Sequence, residues 1–493
     1  MTHAVAVAGR ERSATNWLAL AIGVAAALRL LTLGLYPVSD TTESRYAEIS
    51  RKMVELGDWV TPWFDYGVPF WAKPPLSTWL TAGSMQLFGV SEWAARLPHF
   101  LCAVAVAWLI WDWLRPHGVR LAQLALALLS GSILYFVSAG AVMTDMALLI
   151  GVVMAMRGFW LGLHGTEAVS RRERWLLFVG LGMGLLAKGP IALVLAGGPM
   201  MVWAIATRNV GAAVRRLPWL RGSLLMFAIA IPWYALAERQ TPGFLNYFLV
   251  GEHWNRFTQS GWAGDRYGSA HTEIRGTIWL FALVACLPWS VLLPFLAIGR
   301  KRNAAPPGLE VGFAWYLAAW ALMPCVFFTA AGNLVWTYVL PGLPAASMLG
   351  AIWLARDGRA QRVDSLVSFG TLLTSLLFTA AVVFQPALAA PRSAKDVVRA
   401  FEVHRLPANR LVFVGAHQHS AAFYTAGKAR ILSSEDELAA VARSPAGTGT
   451  FLALRDDQWK RLSPVISGYV RDEGRFGPYR LLEVRVRDAQ SVP

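Results

Sequence analysis

Three acidic side chains stand where this chain can support acid–base chemistry. Asp40 and Glu43 follow the first long apolar run, and Asp145 lies among apolar residues in AVMTDMALLI. A carboxylate beside a reacting hydroxyl can accept its proton, and an acid inside an apolar segment is costly enough to indicate a function. A structural interpretation is also open, because Asp40-x-x-Glu43 matches a capping box and Asp145 matches a helix N-cap.

Basic side chains accompany these acids in the predicted topology. Lys73 is followed by two prolines that restrict the local backbone, and Arg256 lies in GEHWNRF beside His253. Lys188, in AKGP, ends one apolar run, where a lysine commonly extends its ammonium to water. Cations that neutralise a departing phosphate, together with a carboxylate that accepts a proton, are what transfer from a lipid phosphate requires.

The elements that must position these residues are membrane-spanning helices. Of the 493 residues 56% are hydrophobic and only 15% are charged, whereas soluble domains carry about 25% charged residues. Apolar runs long enough to span a bilayer lie near residues 17–36, 97–114, 119–138, 141–163, 175–188, 190–207, 222–238, 276–298, 311–331, 336–355 and 363–385. We therefore predict a polytopic, mainly α protein with about 11–13 transmembrane helices.

The net charge of +15 is distributed in short basic clusters between these runs rather than along one face of a domain. This distribution is the positive-inside pattern of a membrane protein and argues against a nucleic-acid partner. It predicts a cytoplasmic N-terminus and places the loops 37–96 and 239–275 outside. The three cysteines lie inside apolar stretches and indicate neither a disulfide framework nor a metal site.

Two extramembrane parts carry helical or strand periodicity. In the first outer loop, Tyr46, Ile49, Met53 and Leu56 recur at helical spacing opposite charged residues, which predicts an amphipathic helix on the membrane surface. We divide the chain into a transmembrane domain, 1–390, and a periplasmic α/β domain, 391–493. The predicted strands of the periplasmic domain are LVFVGA, TFLALR and LLEVRV, and its predicted helices are KDVVRAFEVH, SEDELAAVAR and DDQWKRLSPVI.

A series of short motifs runs through the first 345 residues in a fixed order. They are DTTESRY at 40–46, AEISRKM, GDWVTP, FWAKPPL at 70–76, FG, AARLP at 94–98, TDM at 144–146, AKGP at 187–190, EHWNRF at 252–257 and TYVLP at 337–341. Together they resemble the bacterial aminoarabinose–lipid A transferases and, with them, the protein O-mannosyltransferases. These are membrane glycosyltransferases of the GT-C fold.

The resemblance implies a sugar donor linked to polyprenyl phosphate and an inverting transfer at the periplasmic face. It assigns the first acidic pair to Asp40 and Glu43, either of which would be the base, and the second acid to Asp145. It assigns donor-phosphate binding to Lys73 and Arg256. Arg45, Tyr46 and His253 complete the expected substrate-binding set.

The chain departs from the family pattern at two positions. Family members have adjacent Asp-Glu before x-Arg-Tyr, whereas Thr42 precedes Glu43 here and the aspartate stands earlier, at Asp40. Family members also commonly have Glu before the Lys of KPP, where this chain has Ala72. A divalent-metal site that used this Glu would lose a ligand, so we expect no essential metal.

We therefore expect a polyprenyl-phosphate-sugar-dependent glycosyltransferase of the bacterial inner membrane. Its acceptor would be a lipid A-like molecule, another lipid or glycan, or a protein. The alternative is a flippase or transporter of the lipid-linked sugar, but transporter sites favour the bilayer midplane and repeated halves. A third alternative is a non-enzymatic assembly factor whose tail recruits partners.

Overall fold

The protein is mainly helical, with a small mixed sheet near its C-terminus. The computed structural model describes residues 2–268, 271–298, 311–386, 392–404, 406, 409–415, 418–444 and 449–485, the side chains of 2–16 and 311 excepted. Its first eighteen α-helices are α1 (Thr2–Thr32), α2 (Thr42–Leu56), α3 (Leu76–Phe88), α4 (Glu92–Leu114), α5 (Val119–Gly131), α6 (Ile133–Ser138), α7 (Asp145–His164), α8 (Glu167–Lys188), α9 (Ile191–Ala206), α10 (Val210–Arg216), α11 (Trp219–Gln240), α12 (Phe244–Asn246), α13 (Arg256–Thr258), α14 (Thr277–Ala285), α15 (Trp289–Ala297), α16 (Val311–Phe328), α17 (Leu343–Ala355) and α18 (Ala360–Phe384).

Irregular segments interrupt this series. A π-helix spans Tyr247–Asn255, and 3-10 helices span Arg115–His117, Trp336–Gly342 and Ser467–Tyr469. Strands β1 (Trp63–Asp65) and β2 (Val68–Pro69) form a short antiparallel hairpin between α2 and α3.

Several helices have the length and apolar character of membrane spans. Within the described residues, five qualify by themselves, and the pair α14 and α15, bent by 78°, would form a sixth. Shorter apolar helices lie at Trp17–Thr32, Val119–Gly131, Ile191–Ala206 and Gly312–Phe328. The architecture is that of a multi-span membrane protein, and the number of 11–13 spans stays a prediction.

Helices α7 and α8 form a closely packed pair that determines part of the site. Their backbones touch at glycines, since a Cβ on Gly151 would lie 2.7 Å from the Gly180 carbonyl oxygen. A Cβ on Gly158 would lie 2.4 Å from the Leu177 nitrogen. Small residues at such contacts allow membrane helices to approach closely. This approach places the first residue of α7 beside the last residue of α8.

Helix α2 forms where it was predicted and is largely covered by protein; its place on the membrane surface stays a prediction. On its apolar side, Tyr46, Ile49 and Met53 are at most 6% exposed, whereas Leu56 is 46% exposed. On its charged side, Glu48, Arg51 and Lys52 are each at most 5% exposed. Arg51 donates two hydrogen bonds to the Glu48 carboxylate, at 2.7 and 2.8 Å. The charges face protein rather than water because the β1–β2 hairpin and the C-terminal region cover this side of the helix.

The C-terminal region contains the predicted strands and helices. Strands β3 (Arg410–Val414), β4 (Arg430–Leu432), β5 (Thr450–Arg455), β6 (Val470–Phe476) and β7 (Tyr479–Val484) form one sheet in the order β4-β3-β5-β7-β6. Strand β3 pairs in parallel with β4 and β5, and β7 pairs antiparallel with β5 and β6. The helices of this region are α19 (Lys395–Val403), α20 (His419–Tyr424), α21 (Glu435–Arg443) and α22 (Asp456–Ile466).

Candidate active site

A polar cavity of about 330 Å³ opens at one end of the helix bundle, on the side of the C-terminal region. Its volume is within the range of small-molecule sites. The polar and charged residues that line it are Thr41, Thr42, Arg45, Tyr46, Lys73, Thr144, Asp145, Lys188, Arg256, Asp265, Tyr267, His271, Thr337 and Tyr338. Four cations and two carboxylates therefore share one cavity.

Asp145 and Lys188 form the ion pair on the α7–α8 side of this cavity. Asp145 is the first residue of α7, and Lys188 is the last residue of α8. The Lys188 ammonium donates to the Asp145 carboxylate at 2.7 Å and lies 5.0 Å from the centre of the Tyr338 ring. The side chain of Asp145 therefore does not act as an N-cap, and Lys188 is held by protein groups rather than extended into bulk water.

Lys73 and Arg256 are held together by an acid that the sequence analysis did not single out. The Glu252 carboxylate accepts from the Lys73 ammonium at 2.9 Å and from the Arg256 guanidinium at 3.1 Å, with its side chain only 1% exposed. Burial alone would raise the pKa of Glu252, but the charges of Lys73 and Arg256 outweigh it and lower the pKa. Glu252 therefore stays ionised and keeps the two cations at one place.

A second carboxylate in the cavity also escaped the sequence analysis. Asp265, 6% exposed, lies 3.4 Å from the Arg256 guanidinium and accepts a hydrogen bond from the Tyr267 backbone at 2.9 Å. Its only sequence signal was a position in the polar loop 239–275, where acidic and basic residues are mixed. Nothing in the local pattern distinguished it from a solvated loop residue.

Arg45 and Tyr46 form the wall contributed by α2. Arg45 donates from its guanidinium to the carbonyl oxygen of Tyr267, and its Nε has no partner within the described structure. Tyr46 is 6% exposed and packs edge-on against Phe70, with 5.9 Å between ring centres. Both predicted residues therefore reach the cavity, as do Lys73, Asp145 and Arg256.

Asp40 and Glu43 lie outside the lining of the cavity. Glu43 accepts two hydrogen bonds from Arg96, at 2.8 and 2.9 Å, and Arg96 is fully buried. Asp40 accepts from Ser44 and from Ser420. The capping-box interpretation is wrong, because the residue before α2 makes no side-chain capping bond and both carboxylates bind other groups.

A second cavity of about 300 Å³ adjoins the polar one and is lined mostly by apolar side chains. Its apolar lining includes Ile191, Leu195, Trp254, Phe327 and Phe328. The two cavities share the following lining residues: Lys73, Lys188, Arg256, Thr337 and Tyr338. Cations therefore stand at the junction between a polar chamber and an apolar one.

His253 lines the apolar cavity rather than the polar one. Its two ring nitrogens lie 2.8 Å from the Phe248 carbonyl oxygen and 3.2 Å from the Lys188 carbonyl oxygen. Burial is the main cause that lowers the pKa of His253, which favours the neutral ring. Among the described residues, no three His, Cys, Asp or Glu side chains are grouped so that they could hold a metal ion.

Comparisons with known proteins agree with this architecture. A family model described as dolichyl-phosphate-mannose-protein mannosyltransferase matches residues 16–248. The undecaprenyl phosphate-alpha-4-amino-4-deoxy-L-arabinose arabinosyl transferase of Edwardsiella ictaluri is 30% identical over 338 residues, covering 66% of this chain and 58% of the relative. The transferase 2 of the same name from Pseudomonas fluorescens is 31% identical over 384 residues, covering 73% and 60%. The chain thus spans about three fifths of the length of these relatives.

Solved structures show the same fold. The crystal structure of ArnT from Cupriavidus metallidurans bound to undecaprenyl phosphate superposes with a TM-score of 0.78 at 21% identity, covering 97% of this chain and 99% of that one. The apo state of the same protein gives 0.75, covering 95% and 98%. Together these matches show that the chain is similar to the aminoarabinose transferases and the protein O-mannosyltransferases and has the GT-C fold.

Proposed function

We propose that this protein is an inverting glycosyltransferase that moves a sugar from a polyprenyl phosphate carrier to an acceptor at the periplasmic face of the bacterial inner membrane. The proposal rests on the joined cavities, in which cations stand between a polar chamber and an apolar one. A lipid phosphate has a charged head and an apolar chain, and this arrangement fits both. The relatives' names support the same donor class.

The donor phosphate would bind Lys73 and Arg256. Glu252 holds these two cations within hydrogen-bonding distance of one carboxylate, and all three side chains are at most 21% exposed. Preorganised cations in a partly dry site stabilise the charge that develops on a leaving phosphate. The apolar cavity would take the first part of the polyprenyl chain, and the polar cavity would take the sugar.

The acceptor would be activated by Asp145. An acceptor oxygen attacks the anomeric carbon and loses its proton to the carboxylate, while the bond from the anomeric carbon to the phosphate oxygen breaks. The leaving group is polyprenyl phosphate, whose charge Lys73 and Arg256 neutralise. We assign the base to Asp145 because it lines the cavity, whereas Asp40 and Glu43 lie outside the lining.

The remaining residues of the predicted set would shape the binding site. Arg45 and Tyr46 form the α2 wall, His253 borders the apolar chamber, and Asp265 joins Glu252 in holding the Arg256 guanidinium. We propose no essential metal. The acceptor class is a lipid A-like molecule, another lipid or glycan, or a protein.

The basic clusters between spans favour a cytoplasmic N-terminus, which would put the cavity and residues 391–493 in the periplasm. In this proposal residues 1–390 carry the transferase site, and residues 391–493 form the periplasmic domain.

Reconstituted protein with a radiolabelled polyprenyl-phosphate sugar tests the reaction. We expect labelled sugar on an envelope acceptor, with transfer at subsaturating donor strongly reduced in Lys73→Ala and unchanged in Lys460→Ala, which removes an exposed lysine of the C-terminal region. Movement of intact donor across the vesicle without a labelled product would identify a flippase instead. Full transfer by Lys73→Ala would refute the phosphate site.

A further inference from the structure

We infer that the C-terminal region contributes to turnover by fixing the position of part of the cavity wall. Asp40 and Ser420 form a positioning pair that holds the cavity-lining segment 41–46 in place. The inference rests on the proposed function and assigns Asp40 a role other than proton transfer. It also gives the C-terminal region a role in transfer.

The contacts of Asp40 cross between the two parts of the chain. Its Oδ1 accepts from the Ser420 backbone N–H at 2.8 Å and from the Ser44 hydroxyl at 2.5 Å, and its Oδ2 accepts from the Ser420 hydroxyl. The Asp40 backbone N–H also donates to the Arg392 carbonyl oxygen at 3.3 Å. One residue of the first outer loop is therefore bound to two segments of the C-terminal region.

Ser420 is itself held rigidly. It is fully buried near the start of α20, and its hydroxyl oxygen accepts the Ala394 backbone N–H at 3.1 Å. Asp40 is half-buried, and a carboxylate in such a place that loses a hydrogen-bond donor bears part of the cost of desolvation without compensation. The geometry at Asp40 is therefore determined by the position of α20.

A displacement of Asp40 would also move the cavity-lining residues that follow it in the chain. Thr41 and Thr42 line the cavity directly after Asp40, and Arg45 and Tyr46 line it from the next turn of α2. Phe423, on the same short helix as Ser420, lies in one apolar cluster with the cavity residues Tyr46, Ala72 and Tyr267. Helix α20 therefore supports this wall through both a polar and an apolar contact.

Independent contacts keep the C-terminal region docked when the positioning pair is altered. The Lys395 ammonium lies 2.5 Å from the Glu92 carboxylate, and the Tyr424 hydroxyl donates to the same carboxylate at 2.9 Å. The Tyr424 oxygen also accepts the Val38 backbone N–H at 2.8 Å. A substitution at Ser420 should therefore move the wall without releasing the domain.

A double-mutant cycle on the full chain tests the inference. We expect Asp40→Asn, Ser420→Ala and the double variant to lower kcat by a similar factor of about 10 to 100, since a small misplacement of a wall costs this much. Donor KM should change far less, because Lys73 and Arg256 are held by Glu252 on another wall. Ser467→Ala, at an exposed serine of the same region, is the matched control.

The exchange variant, Asp40→Ser with Ser420→Asp, tests whether kcat recovers when the carboxylate and the hydroxyl are swapped rather than removed. Partial recovery of kcat relative to either single variant supports a positioning pair, because the carboxylate and the hydroxyl are both retained. Thermal unfolding of each variant separates folding from turnover.

Two outcomes overturn the inference. One is a large loss of kcat in Asp40→Asn with wild-type turnover in Ser420→Ala, which would make Asp40 a chemical participant. The other is a double variant whose losses simply add. Neither result touches the proposed transfer, which Lys73→Ala tests separately.

Discussion

The carboxylate of Asp145 lies 2.7 Å from the ammonium of Lys188, although 43 positions separate the two residues in the sequence. Helices α7 and α8 run antiparallel with glycines at their contact, so the start of one meets the end of the other. The pair places one carboxylate at the rim of the polar cavity and holds it there with a cation.

Asp145→Asn should remove the carboxylate that accepts the proton while keeping a side chain of the same size and shape. We expect kcat to fall by about 10²–10⁴-fold, the usual contribution of a positioned general base, with little change in donor affinity. Single-turnover assays and donor binding measure the two quantities. Asp436→Asn, at an exposed acid of α21, serves as the control. Wild-type turnover of Asp145→Asn would exclude Asp145 as the base.

Lys73→Ala should weaken donor binding. A hydrogen bond to a charged group contributes about 2 kcal/mol, so donor KM should rise roughly thirtyfold. Glu252→Gln should produce a smaller rise, because both cations remain but are no longer held together. If Lys73→Ala weakened the binding of a phosphate-free polyprenyl lipid as much as that of a phosphate-linked one, this result would contradict a phosphate site at Lys73.

Donor binding should depend on pH through Lys73. Burial is the main cause that lowers the pKa of its ammonium, and Arg256 and Lys188 lower it further, while the Glu252 carboxylate raises it. Donor affinity should therefore fall as pH rises, because the neutral amine no longer attracts phosphate. The midpoint of this fall should lie below the usual lysine pKa of about 10.4. Glu252→Gln should move this fall to lower pH, since it removes an influence that favours the charged form.

The pH series has a direct control. Lys73→Arg keeps its charge throughout the range and should give donor binding that varies little with alkaline pH. An unchanged midpoint in Glu252→Gln would show that another group controls the profile.

Gly180→Val should force α7 and α8 apart. A Cβ at this position would lie 2.5 Å from the Gly151 carbonyl oxygen, in a contact made by backbone atoms that cannot turn aside. We expect a loss of about 1–3 kcal/mol in stability and a fall in kcat as Asp145 and Lys188 separate. Gly197→Ala is the control, because its Cβ meets nothing within 4 Å. A stable, fully active Gly180→Val variant would contradict this account of the helix contact.

Glu43→Gln should lower stability. It leaves the fully buried Arg96 without its ionic partner, although Arg96 also donates to the carbonyl oxygens of Leu33 and Tyr36. Loss of one partner of a buried ion pair costs about 3 kcal/mol, which thermal unfolding in detergent would detect. Glu167→Gln breaks only an exposed pair with Arg171 and should change nothing. Normal stability with no turnover would instead make Glu43 a catalytic acid or base.

The sequence by itself determined the class of protein, the helices and much of the residue set. Composition, apolar length and periodicity act over short stretches of chain, so α7, α11, α18 and the strands β3, β5 and β7 could be predicted locally. The ordered motifs also indicated Lys73, Asp145 and Arg256 before any contact was known.

Only the tertiary structure decided which of these groups meet. In the sequence, Asp40 follows one apolar run and Asp145 lies within another. In the structure, Asp145 lines the cavity, whereas Asp40 is bound by Ser420, 380 positions away. Glu252, which begins the motif EHWNRF, and Asp265, an acid of the polar loop, become buried partners of Arg256 in the fold. The environment of a carboxylate depends on segments that are distant along the chain, and no local pattern contains that information.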